Sequence, residues 1–143
     1  MILNTAFTYQ PADYEDEKAS NSYLMSLIAI MIGLPLPIIN LIATFGFYFM
    51  NRKESIYIRW HCTQALLSQI TLFLTNTVVF WWTFSIFFGV KEVTDLYIGY
   101  LSAVIVFNII EFVVTIYTSI QIRKGKHLEW WFYGGLTNKL FGI

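Results

Sequence analysis

The sequence between residues 96 and 122 reads LYIGYLSAVIVFNIIEFVVTIYTSIQI, and its only Asp, Glu, Lys or Arg residue is Glu111. A helix needs about 20 mostly apolar residues to cross the hydrocarbon core of a bilayer. No water is present there, so every backbone amide must be paired within its own segment. Residues 96–122 are therefore predicted to form a membrane-spanning helix.

Two further stretches, residues 23–50 and 60–89, are apolar enough for the same prediction. Pro35 and Pro37 lie inside the first stretch and predict a bend or local unwinding, because proline removes a backbone donor and clashes with the preceding turn. Only 13% of the residues are charged, whereas soluble proteins have about a quarter. The predicted fold is an all-α integral membrane protein with three transmembrane helices.

Polar connectors separate these stretches. Ser55 is positioned to cap the second helix, and Thr94 or Asp95 to cap the third, because short oxygen-bearing side chains accept hydrogen bonds from the first turn. The sequence thus divides into an acidic N-terminal tail (1–22), a three-helix transmembrane domain (23–122) and a basic, aromatic tail (123–143).

The basic residues indicate an orientation. Seven of the nine lie in the first connector, at the start of the second helix or after the third: Arg52, Lys53, Arg59, Arg123, Lys124, Lys126 and Lys139. The positive-inside rule assigns them to the cytoplasm, which predicts an inner (cytoplasmic) membrane protein with its N-terminus outside and its C-terminus cytoplasmic. The acidic run at residues 13–17 is interpreted as a solvated outer tail rather than as part of a signal peptide.

Glu111 is the most unusual residue of the third stretch, because a carboxylate inside a bilayer costs roughly 2.5 kcal/mol or more. Asn108 and Thr115 fall on the same helix face. This face indicates either an ion or proton relay or a protonated carboxyl that hydrogen-bonds between helices, and the second interpretation is favoured.

The second stretch has its own polar face, formed by His61, Gln64, Ser68, Thr71 and Thr75. His61 is a candidate haem ligand or proton carrier, but an interfacial hydrogen-bonding role is favoured, because no other predicted span has a histidine to face it. His127 lies in the basic tail, and nothing in the sequence around the two residues indicates that their rings meet at one site.

Aromatic rings favour the headgroup layer of a membrane. Trp60, Trp130 and Trp131 are therefore predicted to anchor the cytoplasmic boundary. The segment after Gly125 mixes apolar and charged residues and is predicted to lie amphipathically on the membrane surface or to dock on a neighbouring subunit.

No catalytic residues, metal ligands or cofactors are predicted. Cys62 is the single cysteine, so no Cys cluster exists for a metal. Hydrolase, zinc-protease, phosphate-loop and dinucleotide motifs are absent from the sequence. The low charge also excludes a basic nucleic-acid-binding module.

A family resemblance rests on the start of the second helix, YIRWHCTQALL at residues 57–67. With Arg52 and Lys53 before it, this stretch resembles small bacterial multi-pass proteins related to the Tic-twenty channel subunit of the chloroplast inner-envelope import translocon. The matching positions are Arg52, Lys53, Arg59, Trp60, His61, Gln64 and Ala65. A second match is QIRKGK at residues 121–126. The resemblance implies a helical membrane protein with a link to protein import.

The leading functional prediction is a non-enzymatic inner-membrane subunit of a larger complex associated with translocation or transport. The alternative is a small ion or proton transporter that forms by oligomerisation around Glu111, and a third hypothesis is a redox subunit that uses His61. The expected partners are the lipid bilayer and either other membrane-protein subunits or further copies of this chain, with no nucleic acid.

Overall fold

The computed structural model describes residues 2–28 and 37–142, which form five helices and two short strands. In chain order they are β1 (Ile2–Asn4), α1 (Asp13–Met25), α2 (Pro37–Met50), α3 (Ile56–Phe87), α4 (Asp95–Ile122), β2 (Leu128–Trp130) and α5 (Tyr133–Phe141). The prediction of a helical protein is confirmed.

The two longest helices, α3 and α4, follow the predicted stretches 60–89 and 96–122 closely. The Ser55 hydroxyl accepts a hydrogen bond from the Ile58 amide at the start of α3, and the Thr94 hydroxyl accepts one from the Tyr97 amide at the start of α4. Both caps are those that the sequence predicted. Gly89, with a φ of 69°, lies directly after the last turn of α3, in a conformation that glycine adopts most easily.

The first predicted span, residues 23–50, is not a single helix in the structure. α1 begins ten residues earlier, at Asp13, and ends at Met25, while α2 begins at Pro37; the predicted bend around Pro35 lies outside the described residues. Lys18 of α1 forms an ion pair with Glu54, just beyond the end of α2, at 2.7 Å. The first half of α1 therefore lies beside the connector that follows α2.

The N-terminal residues pair with the segment that follows α4. β1 and β2 are antiparallel, with Ile2 opposite Trp130 and Leu3 opposite Glu129. The predicted arrangement with the two tails on opposite sides of a membrane is therefore wrong, because a strand pair requires both segments on one side. The prediction of a solvated acidic tail is also wrong: Glu15 and Asp16 are buried, and Asp16 accepts a hydrogen bond from Tyr57 at 2.9 Å.

These contacts define a cap, which consists of β1, α1, β2 and α5 around the first half of α3 and the last turns of α4. Its core is aromatic and includes Tyr23, Tyr57, Trp130 and Tyr133. α2 packs alongside α3. The predicted C-terminal segment thus docks on its own chain, although Trp131, Phe132 and Leu140 are exposed.

Beyond the cap, α3 and α4 continue as an exposed pair of helices. They are joined by polar contacts, among them Thr83 to Tyr97 at 2.8 Å and the Tyr100 hydroxyl to the Thr75 carbonyl at 3.3 Å. Large apolar side chains on both helices, such as Leu74, Phe80 and Ile105, are exposed. Exposed apolar surface on this scale is typical of contact with lipid or with other membrane helices.

Candidate functional site

A buried chain of polar side chains connects the inside of the cap to β2. Gln64 Nε2 donates to the Tyr23 hydroxyl at 2.8 Å, and the Tyr23 oxygen lies 3.0 Å from His61 Nδ1. His61 Nε2 lies 3.0 Å from His127 Nδ1. His127 Nε2 in turn lies 3.5 Å from a carboxylate oxygen of Glu129. Five side chains from α1, α3 and the β2 region thus form one continuous chain, called here the histidine chain.

The histidine chain has a consistent hydrogen-bond direction when both imidazoles are neutral. The Tyr23 hydroxyl donates to His61 Nδ1, so His61 has its proton on Nε2 and donates to His127 Nδ1. His127 then has its proton on Nε2, which faces Glu129. We assign these tautomers from the network, since each neutral imidazole has one donor and one acceptor. Burial lowers the pKa of His127, and the Glu129 carboxylate opposes that effect in part.

The structure corrects the prediction that His61 and His127 do not meet. His61 is fully buried in the cap, where it contacts Tyr23 and His127 at hydrogen-bonding distance, and its position relative to the membrane interface stays a prediction. The two rings come together because β2 lies across the start of α3. Their nitrogens contact each other at hydrogen-bonding distance, an arrangement that does not match two axial ligands on opposite faces of a haem iron. Within the described residues no group of three or more His, Cys, Asp or Glu side chains is arranged to hold a metal ion.

Gln64 and Arg59, two residues of the motif at the start of the second helix, contact the C-terminal segment. The Gln64 side chain accepts from the Trp130 amide at 3.1 Å and donates to the Leu128 carbonyl at 3.3 Å, so it supplies both strand-like hydrogen bonds to β2. The Arg59 guanidinium lies 5.4 Å from the centre of the Phe141 ring, in α5.

The three predicted anchor tryptophans have different surroundings. Trp60 is fully buried, and its indole donates to Asn138 at 2.7 Å. Trp130 is buried as well and donates to the Thr118 hydroxyl at 2.8 Å. These two rings pack against protein instead of lipid headgroups, because their N–H groups find partners inside the cap. Trp131 is exposed, and its role as an anchor stays a prediction.

Glu111 lies where the cap ends and the exposed helix pair begins. Its side chain forms part of the wall of two cavities, with volumes of about 160 and 330 Å³. It is buried, and one carboxylate oxygen, Oε1, has no hydrogen-bond partner. On the side of the larger cavity lies Tyr133, whose pKa is raised to about 12 by burial and by the neighbouring Glu111.

The other residues of the predicted stripe lie near Glu111. Asn108 forms a reciprocal pair of hydrogen bonds with Asn76 of α3, each 3.1 Å long. Thr115 is buried in the wall of the smaller cavity. This amide pair joins α3 to α4, while the favoured interpretation of Glu111, a protonated carboxyl that hydrogen-bonds between helices, stays a prediction.

A family model described as the magnetosome magnetite crystal formation protein family (MamF/MmsF) matches residues 19–136, which is most of the chain. The chain belongs to this family. No curated protein and no solved structure matches it.

Membership of the magnetosome family overturns the resemblance to relatives of the Tic-twenty import channel. The motif residues on which that resemblance rested make contacts inside the cap. His61 and Gln64 contact the segment around β2, and Trp60 contacts α5. A pattern of Arg, Trp, His and Gln at the start of a helix is therefore explained by internal packing and is not specific to an import channel.

Two helices in the described ranges, α3 and α4, are long and apolar enough to cross a membrane. Their most apolar windows are 0% and 28% buried, unlike the core helices of a soluble protein. Together with membership of a magnetosome family, these exposed windows indicate that the chain associates with a membrane.

Proposed function

We propose that this chain is a non-enzymatic integral protein of the magnetosome membrane that takes part in magnetite crystal formation. The observation that carries the proposal is the match of the family model to residues 19–136. Support comes from α3 and α4, whose outer halves expose apolar side chains that lipid would cover. The buried polar groups of the cap are engaged in holding the cap on the helices, which favours a structural role over a catalytic one.

In this proposal α3 and α4 span the membrane, and the cap lies on the cytoplasmic side. The cap and the connector after α2 hold eight of the nine basic residues: Lys18, Arg52, Lys53, Arg59, Arg123, Lys124, Lys126 and Lys139. The ninth, Lys91, lies in the short connector between α3 and α4 at the opposite end. The positive-inside rule therefore assigns the cap to the cytoplasm and residues 88–94 to the magnetosome lumen.

The same topology favours work within a larger assembly. Among the described residues, the proposed topology brings only the short connector 88–94 to the lumen, and two spanning helices do not enclose a pore by themselves. The apolar faces of α3 and α4 beyond the cap are exposed along most of their length. We infer that the protein acts beside other membrane proteins or further copies of itself.

Cysteine labelling tests the orientation. In a Cys62→Ser background, which removes the single cysteine, Lys91→Cys and Lys124→Cys each place one exposed thiol at one end of the protein. On isolated, sealed magnetosomes, whose outer face is the cytoplasmic one, a maleimide that does not cross membranes should label Lys124→Cys at once and Lys91→Cys only after detergent has opened the membrane. The reverse pattern would place the cap outside the cytoplasm and contradict the proposed topology.

Magnetite precipitation inside liposomes tests the function. The full chain is reconstituted, ferrous and ferric iron are enclosed, the internal pH is raised, and crystal size is measured by electron microscopy. Liposomes with an equal amount of an unrelated two-helix membrane protein are the control. A change in mean size or shape relative to that control supports the proposal, whereas identical size distributions count against a direct role.

Transport of an ion or of protons is a second candidate function, and the observation that favours it is the buried Glu111 beside two cavities. Liposome flux assays should then show a rate that Glu111→Gln abolishes. Glu92→Gln, in the exposed connector, is the matched control and should leave the rate unchanged. Equal rates for wild type and both variants would remove this candidate.

A further inference from the structure

The smaller cavity beside Glu111, called here the junction cavity, is lined by both apolar and oxygen-bearing side chains. It has a volume of about 160 Å³ and lies between the end of α1, the start of α2 and the middle of α3 and α4. The oxygen-bearing side chains that line it come from the residue after α1 and from α2, α3 and α4, and include Ser26, Asn40, Gln69, Asn76, Asn108 and Glu111. Membrane proteins place ion sites where the ends of some helices meet the middle of others, because polar groups are available there at membrane depth.

Glu111 gives the junction cavity one unit of negative charge when it is ionised. The side chain is only 5% exposed, and its Oε1 has no hydrogen-bond partner. A buried carboxylate that has only the Tyr133 hydroxyl beside it is costly, so a proton or a cation is expected to neutralise it. No Lys or Arg lines the cavity among the described residues, and residues 29–36 include no charged residue in the sequence.

Neutral oxygens are available to complete a coordination shell. Asn76 and Asn108 each use one amide hydrogen and the carbonyl oxygen in their reciprocal pair. A carbonyl oxygen has two lone pairs, so each retains the capacity to accept a second contact. Hard cations prefer carboxylate and amide oxygens as ligands, whereas softer metals prefer sulfur or nitrogen.

We propose that the junction cavity binds one monovalent alkali cation, with Glu111 as its charged ligand and the amides of Asn76 and Asn108 as neutral ligands. The single carboxylate indicates that the cation is monovalent. One carboxylate balances one monovalent cation, whereas a divalent cation would leave an uncompensated positive charge in a low-dielectric site. This proposal does not rest on the role in magnetite formation.

Carbodiimide labelling tests the site, because dicyclohexylcarbodiimide reacts with protonated carboxyl groups in apolar surroundings. The purified full chain is labelled in sodium chloride or in choline chloride of equal ionic strength, and modification of Glu111 is followed by mass spectrometry. Sodium should slow labelling about tenfold at about ten times its Kd, since the fraction of empty sites falls in that proportion. Potassium and lithium chloride, run in parallel, rank the alkali cations.

Variants of other residues test whether sodium protects Glu111 by binding in the junction cavity. Asn108→Ala should label in choline as the wild type does but lose most of the protection by sodium. Ser102→Ala, an exposed position on the same helix, should keep the protection. Equal labelling of wild type in choline and in all alkali salts would show that Glu111 binds only a proton and overturn the proposal. Protection by magnesium or calcium but by no alkali cation would overturn the monovalent assignment.

Discussion

His61 Nε2 lies 3.0 Å from His127 Nδ1, although the two residues are 66 positions apart in the sequence. This contact fastens the segment after α4 onto the first turns of α3. It is surrounded by aromatic rings, including Tyr57 and Trp60, which contact both imidazoles. The buried pair excludes water, so its hydrogen bond should contribute more to stability than one at a surface.

Removing the His127 ring should loosen the cap. His127→Ala deletes the acceptor for His61 Nε2 and leaves a buried donor unsatisfied, which costs about 1–3 kcal/mol. We expect a lower thermal unfolding midpoint in detergent, measured by the circular dichroism of the helices. Lys124→Ala, three residues away and exposed, is the control and should change the midpoint little. Equal midpoints for both variants would show that the histidine contact is not a stabilising one.

The cap should also become less stable as the pH falls below about 6.5, the ordinary pKa of histidine. Burial lowers the pKa of His127 in the folded protein. As the pH falls, the unfolded chain therefore binds a proton at this residue at a higher pH than the folded protein does. The free energy of unfolding decreases over the pH range between the two pKa values. Above the ordinary histidine pKa, His127 is neutral in both states, so it does not make the free energy of unfolding depend on pH.

Unfolding midpoints between pH 7.5 and 5 measure this slope, and His127→Gln is the matched variant. Glutamine retains one acceptor and one donor near His61 and Glu129 but does not titrate, so its profile should be flatter than that of the wild type. Two parallel profiles would contradict a contribution from His127.

The sequence predicts those parts of the fold that depend on local patterns. The apolar stretches and the capping residues Ser55 and Thr94 lie next to each other in the chain, so α3 and α4 could be predicted closely. The start of α1 could not, because its acidic first turn resembles a solvated tail. It is Tyr57, from a distant helix, that binds the buried Asp16.

The candidate site shows the same division. Glu111 is recognisable because a charge inside an apolar stretch is unusual, whatever its neighbours are. The histidine chain depends on the packing of the segment around β2 against the start of α3, which brings together two histidines 66 positions apart. A three-residue strand is too short for its sequence pattern to be recognised. No local feature of the sequence therefore predicts that the two imidazoles meet. A neutral buried histidine also has the same sequence context as an interfacial one.

Buried and exposed polar contacts should differ sharply in their contribution to stability. Gln64 makes three hydrogen bonds inside the cap, and Gln64→Leu should cost about 2–4 kcal/mol, since it leaves several buried groups unpaired. The Lys18–Glu54 ion pair is partly exposed, and Lys18→Ala should cost about 0–1 kcal/mol. Chemical denaturation of both variants under one set of conditions compares them, and a larger loss for Lys18→Ala would contradict this ranking.

Adjacent glycines in α5 offer a matched test of how closely the C-terminal helix packs on the cap. A Cβ atom built on Gly134 would lie 2.9 Å from Glu129 Cβ and 3.2 Å from Gln64 Oε1, whereas one on Gly135 meets no atom within 4 Å. Gly134→Ala must therefore displace β2 or Gln64, and overpacking of this kind costs about 1–3 kcal/mol. Gly135→Ala should instead stabilise the helix, by up to about 1 kcal/mol, because alanine loses less backbone entropy than glycine on folding. Unfolding midpoints of the two variants should consequently shift in opposite directions, and equal shifts would show that α5 does not pack on β2 and Gln64 in this way.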